Sequence, residues 1–251
     1  MDLGLDGRVY LVTGASKGLG LAAATALIGE GARVVLVARQ EDPVSTAAAG
    51  LGERAIGLAE DLGDPAAAER VIAAAHARFG RLDGALLSVG GPPPGTVLDT
   101  TDEQWRAAFD TVFLGTLRIA RAVARGLEAG GSIAFVLSTS VRQPIPNLTL
   151  SNGLRPGLAM AAKALADELG PAGIRVNGLM PGRIATDRMK QLDASSGDAE
   201  ASRARNNASI PLGRYGEPEE FGRVAAFLLS PAASYLTGIM LPVDGGMLRG
   251  L

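Results

Sequence analysis

Short runs of apolar and β-branched residues alternate along this chain with longer, alanine-rich stretches whose apolar positions recur at helical spacing. The runs are "RVYLVTG", "RVVLVAR", "RAIGLAEDL", "LDGALLSVGG", "SIAFVLS", "GIRVNGLMPG" and, near the end, "IMLPVDGG". They are apolar without a break rather than at every second residue, which is the pattern of strands covered by helices on both faces. Between them the spacing predicts helices over Leu19–Gly29, Pro65–Phe79, Asp102–Glu128, Leu158–Leu169 and Pro218–Leu229. Strand and helix in alternation predict an α/β fold, a single doubly wound domain over residues 1–251 with a mostly parallel sheet. No linker, repeat or low-complexity stretch divides it. One polar segment, residues 183–209, breaks the regular spacing, and a long irregular excursion in a compact domain is expected to be a substrate lid.

Composition narrows the chemistry. A chain of 251 residues buries about 70–75% of its unfolded surface and needs no staple to hold its core. It has no cysteine, which excludes disulfides, thiolate nucleophiles and Cys-ligated metals. Its one histidine, His76, lies in the helical "ERVIAAAHARFG" and reads as a surface residue, so neither a Ser-His-Asp triad nor a metal site is expected. A net charge of −2 offers no basic footprint for nucleic acid. The start lacks the charged and apolar regions of a signal peptide, and no apolar run is long enough to span a bilayer. A soluble, cytoplasmic protein without nucleic-acid or membrane partners is expected.

The first strand runs into "TGASKGLG" and then a helix, so glycines stand where the backbone must turn sharply and approach a pyrophosphate. The spacing of Gly14, Gly18 and Gly20 is Gly-x-x-x-Gly-x-Gly. At this point the sequence resembles the short-chain dehydrogenase/reductase family, whose signature is TGxxxGxG, and the resemblance continues through "EDLGD", "RVNGLMPGRIATDR" and the C-terminal "IPLGRYGEPEEFGRVAAFLLSPAASYLTGIMLPVDGG". It is nearest to the carbonyl reductase and 3-oxoacyl-carrier-protein reductase members. The resemblance implies a Rossmann domain whose cofactor-binding residues are Gly14, Ser16, Lys17, Gly18, Leu19 and Gly20 in the first turn. It places Asp61 and Leu62 at the adenine and Gly90 beside adenosine, and sets Pro181, Gly182, Ile184 and Thr186 around the nicotinamide. A site preferring NAD(H) carries a carboxylate at the end of the second strand. Here Ala38 is followed by Arg39, and Lys17 stands in the turn, so two cations favour the 2′-phosphate of NADP(H), with NAD(H) the second choice.

The family's reacting end is another matter. Its members use a serine after the fifth strand, a tyrosine thirteen residues on, a lysine four further, and an asparagine on the preceding helix. Ser138 keeps the first position, but Ser151 and Arg155 stand for tyrosine and lysine, and Val112 stands for asparagine. The family's Asn-Asn-Ala-Gly turn reads Leu87–Ser88–Val89–Gly90. An alkanol cannot be tuned to neutral pH as a phenol can, and losing a general acid costs about 10²–10⁴ in rate. In the lysine's place an arginine keeps its proton at neutral pH. Lys163 lies about 12 Å further along the helix, too far to substitute, and Tyr215 is a weak candidate for the acid. Gly153, Pro156 and Gly157 predict either a helix beginning near Leu154–Pro156 or a kink there.

The resemblance implies two functions. One is an NADP(H)-dependent carbonyl or 3-oxoacyl reductase with an atypical site, taking a small carbonyl or alcohol substrate. The other is a dinucleotide-binding protein without turnover. Either is expected to form a homotetramer or homodimer, as family members commonly do. In residues 183–209 stand Arg183, Arg188, Lys190, Arg203 and Arg205, and the interspersed acids favour a solvated segment over a clamp for an anionic substrate.

Overall fold

The computed structural model describes residues 2–195 and 197–250. Seven strands, β1 (Val9–Thr13), β2 (Arg33–Ala38), β3 (Ala55–Ala59), β4 (Gly84–Leu87), β5 (Ser132–Val136), β6 (Arg175–Pro181) and β7 (Met240–Val243), each fall inside one of the seven apolar runs. They form one parallel sheet in the order β3-β2-β1-β4-β5-β6-β7. The helices are α1 (Gly18–Gly29), α2 (Glu41–Leu51), α3 (Ala67–Phe79), α4 (Asp102–Ala108), α5 (Thr116–Gly126), α6 (Thr149–Leu169), α7 (Asp187–Ala194), α8 (Ala199–Ser209) and α9 (Pro218–Leu229). The strand order changes direction between β1 and β4, the switch point outside which a doubly wound sheet takes its ligands.

Alternation along the strands builds two cores. Val9, Leu11, Val35 and Val37 face one side, where α3, α5 and α6 bring Val71, Ile119, Val123 and Leu158. Tyr10, Val12, Val34 and Leu36 face the other, against Leu27 of α1, Val44 of α2 and Phe221 of α9. Full burial of each large apolar side chain contributes about 1.5–3 kcal/mol. Arg175, at the start of β6, donates to the carbonyls of Leu228, Leu229, Ser230 and Leu236 and so fastens the end of α9 to the sheet.

Two helices differ from expectation. The one predicted over Asp102–Glu128 is unbroken to Gly126, but α4 and α5 are joined by a π-helical stretch, Phe109–Gly115, with a wider turn. Of the two outcomes expected near Leu154–Pro156, a helix start or a kink, the start does not occur there. Instead α6 begins at Thr149, nine residues before the helix expected over Leu158–Leu169, and runs to Leu169 with Pro156 inside it. Packing explains this. A Cβ on Gly153 would come within 2.5 Å of the Trp105 ring, and one on Gly157 within 2.9 Å of the Phe113 ring. The two glycines, one turn apart, form a notch filled by these aromatics. The burial offsets a propensity cost of about 1 kcal/mol per glycine. Pro156 removes only the one bond its N–H would have made to the Asn152 carbonyl.

Candidate active site

β1 and β4 are tied at their ends before the site begins. Thr13 Oγ1 donates to the Ser88 carbonyl at 2.6 Å and accepts the Ser88 N–H at 2.8 Å. Gly14 and Gly18 have φ of 60° and 59°, and a Cβ on Gly14 would sit 2.8 Å from the Ser88 carbonyl oxygen. Gly20 lies against the Gly14 carbonyl with no room for a Cβ. α1 opens after an extended Lys17, and no side chain caps it, so its first N–H groups and its dipole are available to an anion. Ser16 and Leu19 flank that opening, both partly exposed. Lys17 and Arg39 are exposed, and among the described residues neither is in an ion pair. These residues fit a dinucleotide phosphate.

The other positions that the resemblance assigns to the cofactor lie at or just beyond the ends of β3, β4 and β6, the last of them before α7. Asp61 Oδ1 accepts the Gly63 N–H at 2.9 Å and shapes the turn after β3. The Leu62 carbonyl rests on Gly115, where a Cβ would lie 2.6 Å away. Gly90 is exposed beyond β4. Pro181 ends β6, and the Gly182 N–H donates to the Val243 carbonyl at 3.0 Å. Ile184 is buried and bridges to Gly216. Thr186 caps α7, accepting the Met189 N–H at 3.4 Å, and its methyl lies 3.6 Å from where a Gly18 Cβ would be. The glycine turn and the start of α7 therefore face each other.

At the reacting end, the Ser138 hydroxyl follows β5 and accepts the Ser140 N–H at 3.1 Å. Ser151, buried in α6, meets the Ser140 hydroxyl, with the two oxygens 3.1 Å apart. Ser140 thus links the two serines. No family position marks it in the sequence, although "LSTS" sets a second hydroxyl two residues beyond Ser138. Arg155, buried one turn further along α6, donates through Nη1 to the Val136 carbonyl at 2.5 Å and through Nη2 to the Val89 carbonyl at 3.4 Å. It bridges the ends of β5 and β4. Burial beside no carboxylate draws its pKa down to about 10, which leaves it cationic at neutral pH. Val112 is buried in the wide turn, where its carbonyl accepts the Thr116 hydroxyl at 2.7 Å.

Other candidates lie elsewhere. Lys163 donates to the Gly238 carbonyl at 3.0 Å. Tyr215 donates to Asp193 at 3.0 and 3.1 Å, and burial, reinforced by that carboxylate, pushes its pKa up, away from use as an acid. His76 is exposed on α3. Asp193 also accepts from Ser202 and Asn206, locking α7 to α8, while Arg183 and Arg203 stand over the Tyr215 ring at 5.9 and 4.9 Å. Beyond β4 and β5, a cavity of about 360 Å³ is lined by Gly95, Val97, Pro144, Ile145, Pro146 and Thr149, among others. Among the described residues no group of acidic or histidine side chains could hold a metal ion, and no helix is long and apolar enough to cross a membrane.

Residues 14–248 match the family described as enoyl-(acyl carrier protein) reductase. The chain is 32% identical over 247 residues to the 3-oxoacyl-acyl-carrier-protein reductase FabG of Escherichia coli, covering 98% of this chain and 99% of that protein. It is 34% identical over 247 residues to an uncharacterized oxidoreductase of Methylorubrum extorquens, covering 97% and 98%. Among solved structures it is similar to L-sorbose reductase from Gluconobacter frateurii, complexed with NADPH and L-sorbose. There the TM-score is 0.95 and the identity 32%, with 100% of both chains covered.

Proposed function

The chain belongs to the short-chain dehydrogenase/reductase family of oxidoreductases, and from that premise we propose that it is an NADP(H)-dependent reductase of a small carbonyl compound with a rebuilt proton-donating site. The observation that carries this reading is the uncapped α1 terminus with Lys17 and Arg39 beside it and no carboxylate at the end of β2. The α1 N–H groups hold the pyrophosphate, and Lys17 and Arg39 grip the 2′-phosphate, leaving NAD(H) the weaker ligand. NADPH supplies the hydride when bound. The Ser138 hydroxyl donates to the substrate oxygen and polarises it. Ser140 and Ser151 form a hydroxyl pair through which water can relay the proton that a tyrosine gives in the family. Such a relay is slow, because no alkanol titrates near neutral pH. Arg155 does not grip the ribose in this reading; it stays on two carbonyls as a fixed cation behind the site. Residues 183–209 act as the lid, and the protein works as a homo-oligomer.

The test is a titration with NADPH and NADH followed by ligand fluorescence, then a screen of ketones and acyl thioesters. Saturable binding that favours NADPH, with slow turnover of at least one carbonyl, is expected. Absence of binding for both nucleotides would sink the reading. The second reading, a nucleotide binder without turnover, is favoured by one observation: Ser151 and Arg155 spend their polar groups on Ser140 and on backbone carbonyls. NADPH binding with no carbonyl consumed would establish it.

A further inference from the structure

Five cations lie in residues 183–209, and four are accounted for there or in solvent. Lys190 pairs with Asp187 at 3.5 Å, Arg183 and Arg203 stand over Tyr215, and Arg205 is exposed. Arg188 is held differently. From α7 it donates through Nη2 to the Pro92 carbonyl at 2.6 Å, in the loop after β4. Its guanidinium lies close over Gly91, where a Cβ would be 3.2 Å from Nε, so a side chain at that position would push it away. Arg155 reaches the same loop at Val89. The segment Val89–Pro92 is thus bracketed by two guanidiniums, and among the described residues neither has a carboxylate partner.

Arg188 is only half-buried, and the Pro92 carbonyl satisfies one of its five donors, which leaves the others to solvent or to a ligand. Desolvation without a counter-charge lowers the pKa of Arg188. An arrangement of this kind is relieved when a ligand brings the missing negative charge. The crevice outside the carboxyl ends of the strands is where ligands enter a doubly wound sheet. Thr186, two residues before Arg188, faces the glycine turn. Past Arg188 the loop continues to Gly95, Thr96 and Val97, which line the cavity of about 360 Å³ with Pro144, Ile145 and Pro146. Arg188 is therefore tied to the same loop that, three residues further on, lines a largely apolar recess.

We propose that Arg188 is a specificity-determining residue that selects a substrate bearing a carboxylate, whose short apolar body occupies the recess beside Pro144–Pro146. The carboxylate takes the place of the Pro92 carbonyl on Nη2 and engages a second N–H in a bidentate pair. The chemistry after binding rests on the reductase reading, but the recognition itself does not require turnover.

The test uses pyruvate and benzoylformate, each against its neutral amide, titrated by calorimetry into the full-length protein with and without saturating NADPH. At least one acid should bind about tenfold or more tightly than its amide, and Arg188→Gln should reduce that preference to about twofold or less. Arg188→Lys should keep part of it, as a point charge without the fork. Equal binding of acid and amide, no measurable binding of either acid, or a preference that survives Arg188→Gln overturns the proposal. So does a loss of NADPH affinity of about tenfold in Arg188→Gln, which would assign the guanidinium to the cofactor's phosphates. Acid preference in a protein that binds no NADPH upholds the site and defeats the reductase reading instead.

Discussion

In the turn after β1, glycines let the backbone pack closely on backbone; in α6, they let aromatic rings from another helix pack on it. Gly14, Gly18 and Gly20 let the backbone fold back on itself and leave an uncapped helix end open to a phosphate. Gly153 and Gly157 admit the rings of Trp105 and Phe113 and close that helix face. The two regions are held in different ways. The nucleotide turn is held by its own backbone, so little can change in it without loss. The α6 face is held by cross-packing, and its polar residues Ser151 and Arg155 make bonds of their own.

The comparison can be broken from either side. Gly20→Val drives a side chain into the Gly14 carbonyl and should weaken NADPH binding on the order of 100-fold, with a fall in melting temperature. Normal NADPH affinity in that variant would mean that the turn is not the phosphate cradle. Arg39→Ala should cost about 10- to 100-fold in NADPH affinity and leave NADH alone, which a parallel titration of both reads directly. On the α6 side, Gly153→Ala should cost about 1–2 kcal/mol in urea unfolding, because overpacking against Trp105 outweighs the helix propensity gained. NADPH affinity should stay within about twofold, since the damage lies away from the turn.

Arg155→Met should have the smallest effect, a stability change within about 1 kcal/mol and NADPH affinity within about threefold. A large loss of NADPH affinity would show the guanidinium on the ribose after all. Its pH dependence has a definite sign. The folded pKa, about 10, lies below that of the unfolded chain, so the unfolded state holds the extra proton above pH 10. Stability of the native protein relative to Arg155→Met should be flat from about pH 6 to 9 and rise above about pH 10, which urea midpoints across that range would record.

The seven strands, and the nucleotide turn between β1 and α1, are legible in the sequence because each is written in a short window: an apolar run, or a glycine spacing on a strand–helix junction. The features that escape the sequence depend on partners far along the chain. The start of α6 is decided by Trp105 and Phe113, which no local window around Gly153 contains, so propensity points to the wrong residue. The polar excursion looks irregular because α7 and α8 are knit by Asp193 to Ser202, Asn206 and Tyr215 rather than by an apolar stripe. Ser140 escapes for a different reason. The resemblance gives it no role, and its hydroxyl is engaged through Ser151, eleven residues further along the chain.

The π-helical stretch Phe109–Gly115 fixes the aromatic plug by rotation as well as by size. Each residue in an α-helix turns the chain by about 100°, and a wide turn takes up extra chain for the same rotation. α4 and α5 are in effect two coaxial screws set out of phase. Deleting one residue within the stretch would let a regular helix re-form in the same phase, but closing the wide turn with all seven residues kept would swing Trp105 by about 100° relative to α5. The ring would then leave the Gly153 notch, although every residue that makes the contact would still be present. The fit between the two helices is a matter of timing along the thread.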